Sequence, residues 1–390
     1  TTAHDNLAVE IAGSGTVTSI DFTAPPSLLE LEVGDAVALG GGVFGITEIR
    51  DGLARRISAR AIAPDVNLAS TVLRLGQGDG APAPHAEPAL DFAQLPPPVD
   101  DVSRSRLALG AFADPWPGNV TVTDDMTGTG LATLGATATM GELTAPLAPG
   151  GTFVWDETNV LELVLYSGHV ASKDDDEVLA GANRIAVQND DGAWEVIGFA
   201  AAELTAPRTY RLTRLLRGQG GSDFAIGTSS VGNSVLLLDS RATLLPIGGS
   251  WLGTIAELRS YAGPADADGT LTAVTIGLDP VLPLAPVHLM AERAGAGDIT
   301  LSWVRRSGAD PDSWALEDAP LDYVPEAYRV TILDGVTPVR TIDASTPQAT
   351  YSAAQQSADF GLLPTSFDFT LAQVSPLYGP GHTATATFTA

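Results

Sequence analysis

The chain has 390 residues, 44% of them hydrophobic, with 41 glycines, 27 prolines and no cysteine. Its 20 basic and 47 acidic residues give a net charge of −27, which repels nucleic-acid phosphates, so neither sequence-specific nor sequence-independent nucleic-acid binding is expected. No apolar run approaches the ~18 residues of a membrane-spanning helix, and the absence of cysteine excludes disulfides and thiolate metal sites. Size allows about two to four domains. The abundance of glycine and proline favours short strands and tight turns, so the expected fold is mainly β, with several β-modules in tandem.

Residues 1–74 read as one β unit. Leu7–Ile11, Thr16–Phe22, Leu28–Val33, Val43–Ile49 and Leu53–Ile62 alternate apolar and polar side chains, with turns at Gly34-Asp35 and Asp51-Gly52. The start at Thr1-Thr2-Ala3 is expected to arise from truncation or processing, with no signal segment after it. Residues 75–101 carry prolines at high density and few β-branched residues. Proline fixes φ and removes a donor, so an extended linker is expected there, with Phe92 and Leu95 available to tack it down.

Residues 102–283 form the central unit. Arg104–Phe112, Asn119–Thr123, Val160–Tyr166 and Ser234–Leu238 read as strands, and Asp124–Gly151 as either strands with small side chains or a long loop. The best-patterned part is a hairpin, Arg184–Gln188 and Trp194–Phe199 around Asn189-Asp190-Asp191-Gly192, then an Ala-rich connection and a strand Arg208–Leu215. That pattern predicts a sheet with one buried face. It runs into Leu215-Leu216-Arg217-Gly218-Gln219-Gly220-Gly221-Ser222-Asp223, a turn whose glycines permit positive φ.

Residues 284–390 contain seven short alternating runs: Val287–Glu292, Asp298–Arg305, Glu326–Leu333, Val339–Ile342, Ala349–Ala353, Ser366–Val374 and Thr383–Thr389. They resemble a fibronectin type III sandwich, with Trp303 where such folds bury a tryptophan and Phe367 in place of the usual corner tyrosine. The long insertion Ser307–Tyr323 carries Trp314, either a lid over the sandwich edge or a contact for a neighbour.

The run GAWEVIGFAAAEL…YRLTRLLRGQGGSD, with PVHL at 286–289, DITLSWVRR at 298–306, EAYRV at 326–330 and QVS…GPG at 373–381, is similar to the C-terminal region of the large tail-tip (baseplate hub) protein of gene transfer agents and related tailed phages. The resemblance covers roughly residues 150–390, and LELEVGDAVAL near residue 30 resembles phage tail hub modules or, equally, a plain β-barrel fragment. It implies a structural virion component at the tail tip, a homotrimer attached to other hub proteins, acting on a bacterial surface receptor or envelope in host attachment or penetration before DNA delivery.

The residues themselves furnish no reaction chemistry. His4, His85, His169, His288 and His382 lie in no metal-binding spacing, and no nucleophile elbow or phosphate loop is present. No catalytic, cofactor or metal site is expected; Asp190-Asp191 reads as turn chemistry and Asp174–Glu177 as a solvated loop, with a divalent ion as the other possibility. Arg208, Arg211, Arg214 and Arg217 recur at every third position, which in a strand sends them to alternating faces. They are the candidate partner contacts together with Trp314, and read either as salt bridges to the acid excess, within the domain or to a neighbouring subunit, or as binding lipopolysaccharide phosphates or packaged DNA. The alternative function is a carbohydrate-binding region of an adhesin or enzyme, with Trp116, Trp314 and Tyr378 as stacking surfaces.

Overall fold

The structure, a computed structural model, describes residues 19–24, 31–39, 42–51, 55–61, 86–97, 105–247, 249–309, 311, 312 and 319–390. The chain divides into two compact units, Thr1–Ala83 and Pro84–Ala390.

The described part of the first unit is one antiparallel sheet of β1 (Ser19–Ala24), β2 (Ala36–Leu39), β3 (Gly42–Arg50) and β4 (Arg55–Ala61), in the order β1-β4-β3-β2. Strand alternation places Ile20, Phe22, Phe44, Ile46, Ile57 and Ala59 in one small core. Gly34, at φ 106°, makes the expected turn, and the Asp35 carboxylate accepts from the Glu32 amide at 2.8 Å. Leu31–Val33 is not strand, and the expected strand Leu7–Ile11 lies outside the described residues.

The second unit begins with a sandwich. Strands β5 (Ala89–Leu95), β6 (Ser105–Phe112), β7 (Val120–Asp124) and β8 (Gly130–Leu134) precede a long excursion, after which β16 (Thr243–Ile247), β17 (Thr254–Ala262) and β18 (Thr270–Ile276) complete it. Its sheets are β16-β6-β5 and β18-β17-β7-β8, closed over Leu107, Leu109, Val120, Val122, Leu134 and Ile276. Residues 89–95 are therefore a packed strand rather than linker. Leu90 and Phe92 face the sandwich core while Ala93 and Leu95 face the other way, into a second apolar cluster, and two buried faces outweigh the surrounding prolines.

The excursion is a closed barrel: β9 (Met140–Leu143), β10 (Trp155–Asp156), β11 (Leu161–Leu165), helix α1 (Asp175–Leu179), β12 (Arg184–Gln188), β13 (Trp194–Ala206), β14 (Thr209–Leu216) and β15 (Ser234–Leu237). The ring runs β13-β14-β11-β9-β15-β12 and back to β13, with β10 extending the β14 side, so no barrel edge is left open. The Ala-rich connection expected after Phe199 is instead the second half of β13. That half pairs with β14 while the first half pairs with β12. The expectation of a single buried face is also corrected. Ile185 and Val187 fill the barrel, while Ala186, Trp194, Val196 and Leu236 pack outward against Ala93, Leu95 and Ala108 of the sandwich. Gly110 of β6 permits this approach, because a Cβ there would meet Leu236 Cδ1 at 2.5 Å.

A second sandwich follows: β19 (Val287–Arg293), β20 (Ile299–Val304), β21 (Tyr328–Asp334), β22 (Thr337–Ala344), β23 (Gln348–Tyr351), helix α2 (Ala353–Phe360), β24 (Ser366–Ser375) and β25 (Gly379–Thr389). Its sheets, β19-β20-β23 and β22-β21-β24-β25, repeat the strand order of the first sandwich position by position. Both are fibronectin type III-like, and the barrel is inserted between the fourth and fifth strands of the first. Trp303 and Phe367 are buried in the second core, Trp303 meeting Tyr328 edge to face at 5.1 Å.

Candidate functional site: the signature strand and its junction

Strand β14 carries the arginine series, and the backbone decides where each side chain goes. Arg208, at φ 60°, turns the chain from β13 into β14 and donates to the Tyr166 carbonyl at 2.7 Å. Arg211 is exposed on the outer barrel surface, 3.9 Å from Glu162, the residue paired with it across the strands. At Arg214 the backbone enters the left-handed region, φ 57°, and the alternation breaks, so that Leu212 and Leu215, three apart, both enter the barrel core. The Arg214 guanidinium stays outside, bound to Asp175 at 2.6 and 2.9 Å, paired with Glu157, and lying 4.6 Å over the Trp155 ring. Its hydrogen bonds hold the Asp175 carboxyl below the usual carboxylate range.

Arg217, named among the candidate partner contacts, lies inside and pairs with acids of its own domain. It is 1% exposed. Its Nε and Nη2 donate to the two carboxylate oxygens of Glu195 at 2.7 and 2.8 Å, and its Nη1 donates to the Ala148 carbonyl at 2.9 Å and to Asp156 at 3.3 Å. The Gly218 amide adds a third donor to Glu195 at 3.0 Å. Burial acts to raise the Asp156 carboxyl, but donors from Asn159, Thr158 and Arg217 outweigh it and hold it low. One cation thus ties β13, β14, β10 and the 148–150 loop together, in the bidentate geometry that suits arginine and not lysine.

The turn after β14 is the joint to the second sandwich. Gly218, Gly220 and Gly221 all have positive φ, 63°, 67° and 81°, which aims the Gly220 amide outward at both oxygens of Asp312, 3.0 and 2.9 Å away. Asp312 also pairs with Arg184 at 3.0 Å, and Asp223 binds Arg306 at 2.8 and 3.2 Å. Burial raises the Asp312 carboxyl against the pull of the Gly220 amide and of Arg184 and Arg306. Ser222, fully buried, accepts from the Val196 amide and donates to the Gln219 carbonyl, each at 2.8 Å. Phe224 stacks on His382 at 4.9 Å, and His382 Nε2 reaches the Asp279 carbonyl at 2.9 Å.

The remaining candidates fall elsewhere. Trp314, like His4 and His85, lies outside the described residues. Trp116 is half-buried and packs against the first sandwich core. The 174–177 run is largely solvated, as expected, but helical rather than a loop: Asp174 caps α1, Asp175 serves Arg214, and Glu177 pairs with Lys173 at 2.8 Å. Asp190 forms a turn, accepting from the Ser230 amide and the Asn233 amide side chain at 2.8 and 2.9 Å. Among the described residues no group of three or more His, Cys, Asp or Glu side chains could hold a metal ion. The sequence reading overlooked Asp223, Asp312 and Arg306 as one joint. Asp223 ends the glycine turn, which was a visible signal, whereas Asp312 sits in an insertion with no pattern of its own.

The model of a family described as Rcc01698-like, C-terminal, matches residues 138–236. Those limits run from just before β9 to within one residue of the end of β15, and so coincide with the barrel. No curated protein matches. Among solved structures the chain is similar to a fibronectin domain described as FN3tt mut (20% identity over 28% of this chain and 96% of that one, TM-score 0.20). It is also similar to the FN1–FN3 domains of chicken CNTN1 (9% identity over 79% and 100%, TM-score 0.19), and to titin domains A168–A170 (10% identity over 78% and 99%, TM-score 0.19).

Proposed function

We propose that the chain is a structural component of the tail tip of a gene-transfer-agent or phage-like particle, contributing to host attachment or envelope penetration before DNA delivery. The observation that carries this reading is the coincidence of the family match with the inserted barrel, since the family name is associated with gene transfer agent proteins of Rhodobacter. The architecture suits such a role. A barrel without open edges, with a buried arginine tied to three of its segments and a hydrogen-bonded joint to the next sandwich, supports a structural rather than a catalytic reading. In this reading the chain assembles as a homotrimer about the tail axis, binds other hub proteins, and turns an acidic surface toward a receptor or envelope.

Cryo-electron microscopy of purified particles tests it. Density for the barrel and both sandwiches is expected in three copies at the end of the tail distal to the head. Density in the capsid, or particles that lack the chain and still deliver DNA, overturns it.

A further inference from the structure

In the first sandwich, β5 and β18 are outermost in their sheets, each with a single β partner. They lie side by side and run in the same direction, because Thr270 donates to Glu87 at 3.0 Å and, seven residues further along both chains, Gln94 exchanges hydrogen bonds of 3.0 and 2.8 Å with the Gly277 backbone. Between these two ties no backbone hydrogen bond joins the strands among the described residues. A cavity of about 490 Å³ opens there, within the ~300–1,000 Å³ of ligand sites.

The cavity is lined by consecutive residues, 90–92 of β5 and 272–275 of β18. Consecutive strand residues point to opposite faces, so a cavity that touches four in a row meets the edge of the strand, where N–H and C=O groups lack partners. The barrel turn 191–194 and Phe224 form the far wall. The lining holds three carboxylates, Asp91, Asp191 and Asp279, and neither lysine nor arginine. Asp91 is 9% exposed, and its Oδ2 has no hydrogen-bond partner.

We propose that this cleft takes an extended basic peptide segment of a partner protein, added as a strand along the free edges of β5 and β18, with lysine or arginine side chains directed to Asp91, Asp191 and Asp279. Main-chain hydrogen bonds to an exposed edge supply affinity in this mode, and the lining side chains select the sequence. The carboxylates favour a cationic strand over the acidic segments that prevail in this chain itself. The inference stands whatever assembly the chain belongs to.

The test uses the full chain and a capped peptide of roughly ten residues in which lysine alternates with valine and threonine, followed by fluorescence anisotropy at about 150 mM salt. Micromolar binding is expected, together with slower amide exchange at 89–95 and 270–276. Replacing lysine by glutamate, or N-methylating alternate peptide amides, should each weaken binding by about tenfold or more. So should Asp191→Lys with Asp279→Lys, two exposed positions at which the melting temperature, measured alongside, is expected to stay within a few degrees of wild type. The proposal fails if the lysine and glutamate peptides bind alike, if N-methylation has no effect, if the double variant retains full affinity, or if exchange slows elsewhere on the acidic surface instead.

Discussion

Arg217 and Glu195 face one another across the β13–β14 pair through two parallel hydrogen bonds of 2.7 and 2.8 Å, their side chains 0% and 3% exposed. Two ions removed from water together gain little net stability, but removing one leaves the other stranded. Arg217→Met would leave Glu195 and Asp156 buried without their shared cation. It is expected to cost about 3–5 kcal/mol, seen as loss of the barrel's cooperative transition in urea at lower denaturant. Arg217→Lys should recover only part, since an ammonium cannot span both oxygens. A lysine variant as stable as wild type would show that charge alone, and not the fork, closes the barrel.

The barrel–sandwich contact should respond to pH through Asp91. Burial pushes its carboxyl up to about 6 against the hydrogen bond from Ser234, and the groups facing it from the barrel are Ser234 and Tyr166, whose hydroxyl bonds Glu142 at 3.2 Å. The folded value lies above that of the unfolded chain, so the folded state holds the proton more tightly. The resulting stabilisation is complete below about pH 4 and disappears as pH rises through about 6. Asp91→Asn should remove that slope and be the more stable protein at pH 8, by at most about 3 kcal/mol. Melting temperatures of both proteins between pH 4 and 8, about the range over which the group titrates, decide it; parallel curves would exclude Asp91 as the source.

The joint of Asp312 with the Gly220 amide and Arg184, and of Asp223 with Arg306, couples the second sandwich to the barrel. Asp312→Ala strands a backbone donor and an arginine at once, a loss of about 1–3 kcal/mol. Calorimetry should then show the second sandwich unfolding apart from the barrel, where the wild type unfolds them together. Asp312→Asn, which can still accept from the Gly220 amide, should lie between. A single shared transition in Asp312→Ala would place the coupling elsewhere, in the Phe224–His382 stack for example.

What the sequence disclosed follows from which interactions are local. The second sandwich was legible strand by strand because each strand has one buried and one wet face, as in Ile299, Leu301 and Trp303 against Thr300 and Ser302. Strand β13 was legible only as far as Phe199, since Ala200, Ala201 and Ala202 carry no alternation to read. The insertion could not be read, because β6 pairs with β16 across the whole barrel, and no local pattern encodes a pairing so distant. Arg217 pairs with acids of its own domain, one of the readings its charge allowed, but its burial was not legible, because a positive φ at Arg214 breaks the alternation that would have placed it. The glycine turn was recognised as a turn, but its role as a joint depends on a residue in another body.

Helix α2 was overlooked although it is signalled at both ends. Ser352 and Gln355 form a capping box, with Gln355 reaching the Ser352 amide at 2.9 Å, and Gly361 at φ 75° ends the helix. Near its last turn Asp359 accepts from Arg340 of β22 at 2.6 and 2.7 Å and from the Tyr351 hydroxyl of β23 at 2.8 Å. One carboxylate therefore binds strands from both sheets of the sandwich, whereas the cap acts on the helix alone. Ser352→Ala should cost about 1 kcal/mol, speeding amide exchange within α2 only. Asp359→Ala leaves a guanidinium and a phenol without their acceptor and should cost about 2–3 kcal/mol, speeding exchange in β22 and β23 as well. If exchange in those two strands is unchanged in Asp359→Ala, the helix is an ornament on the sandwich and not a tie between its sheets.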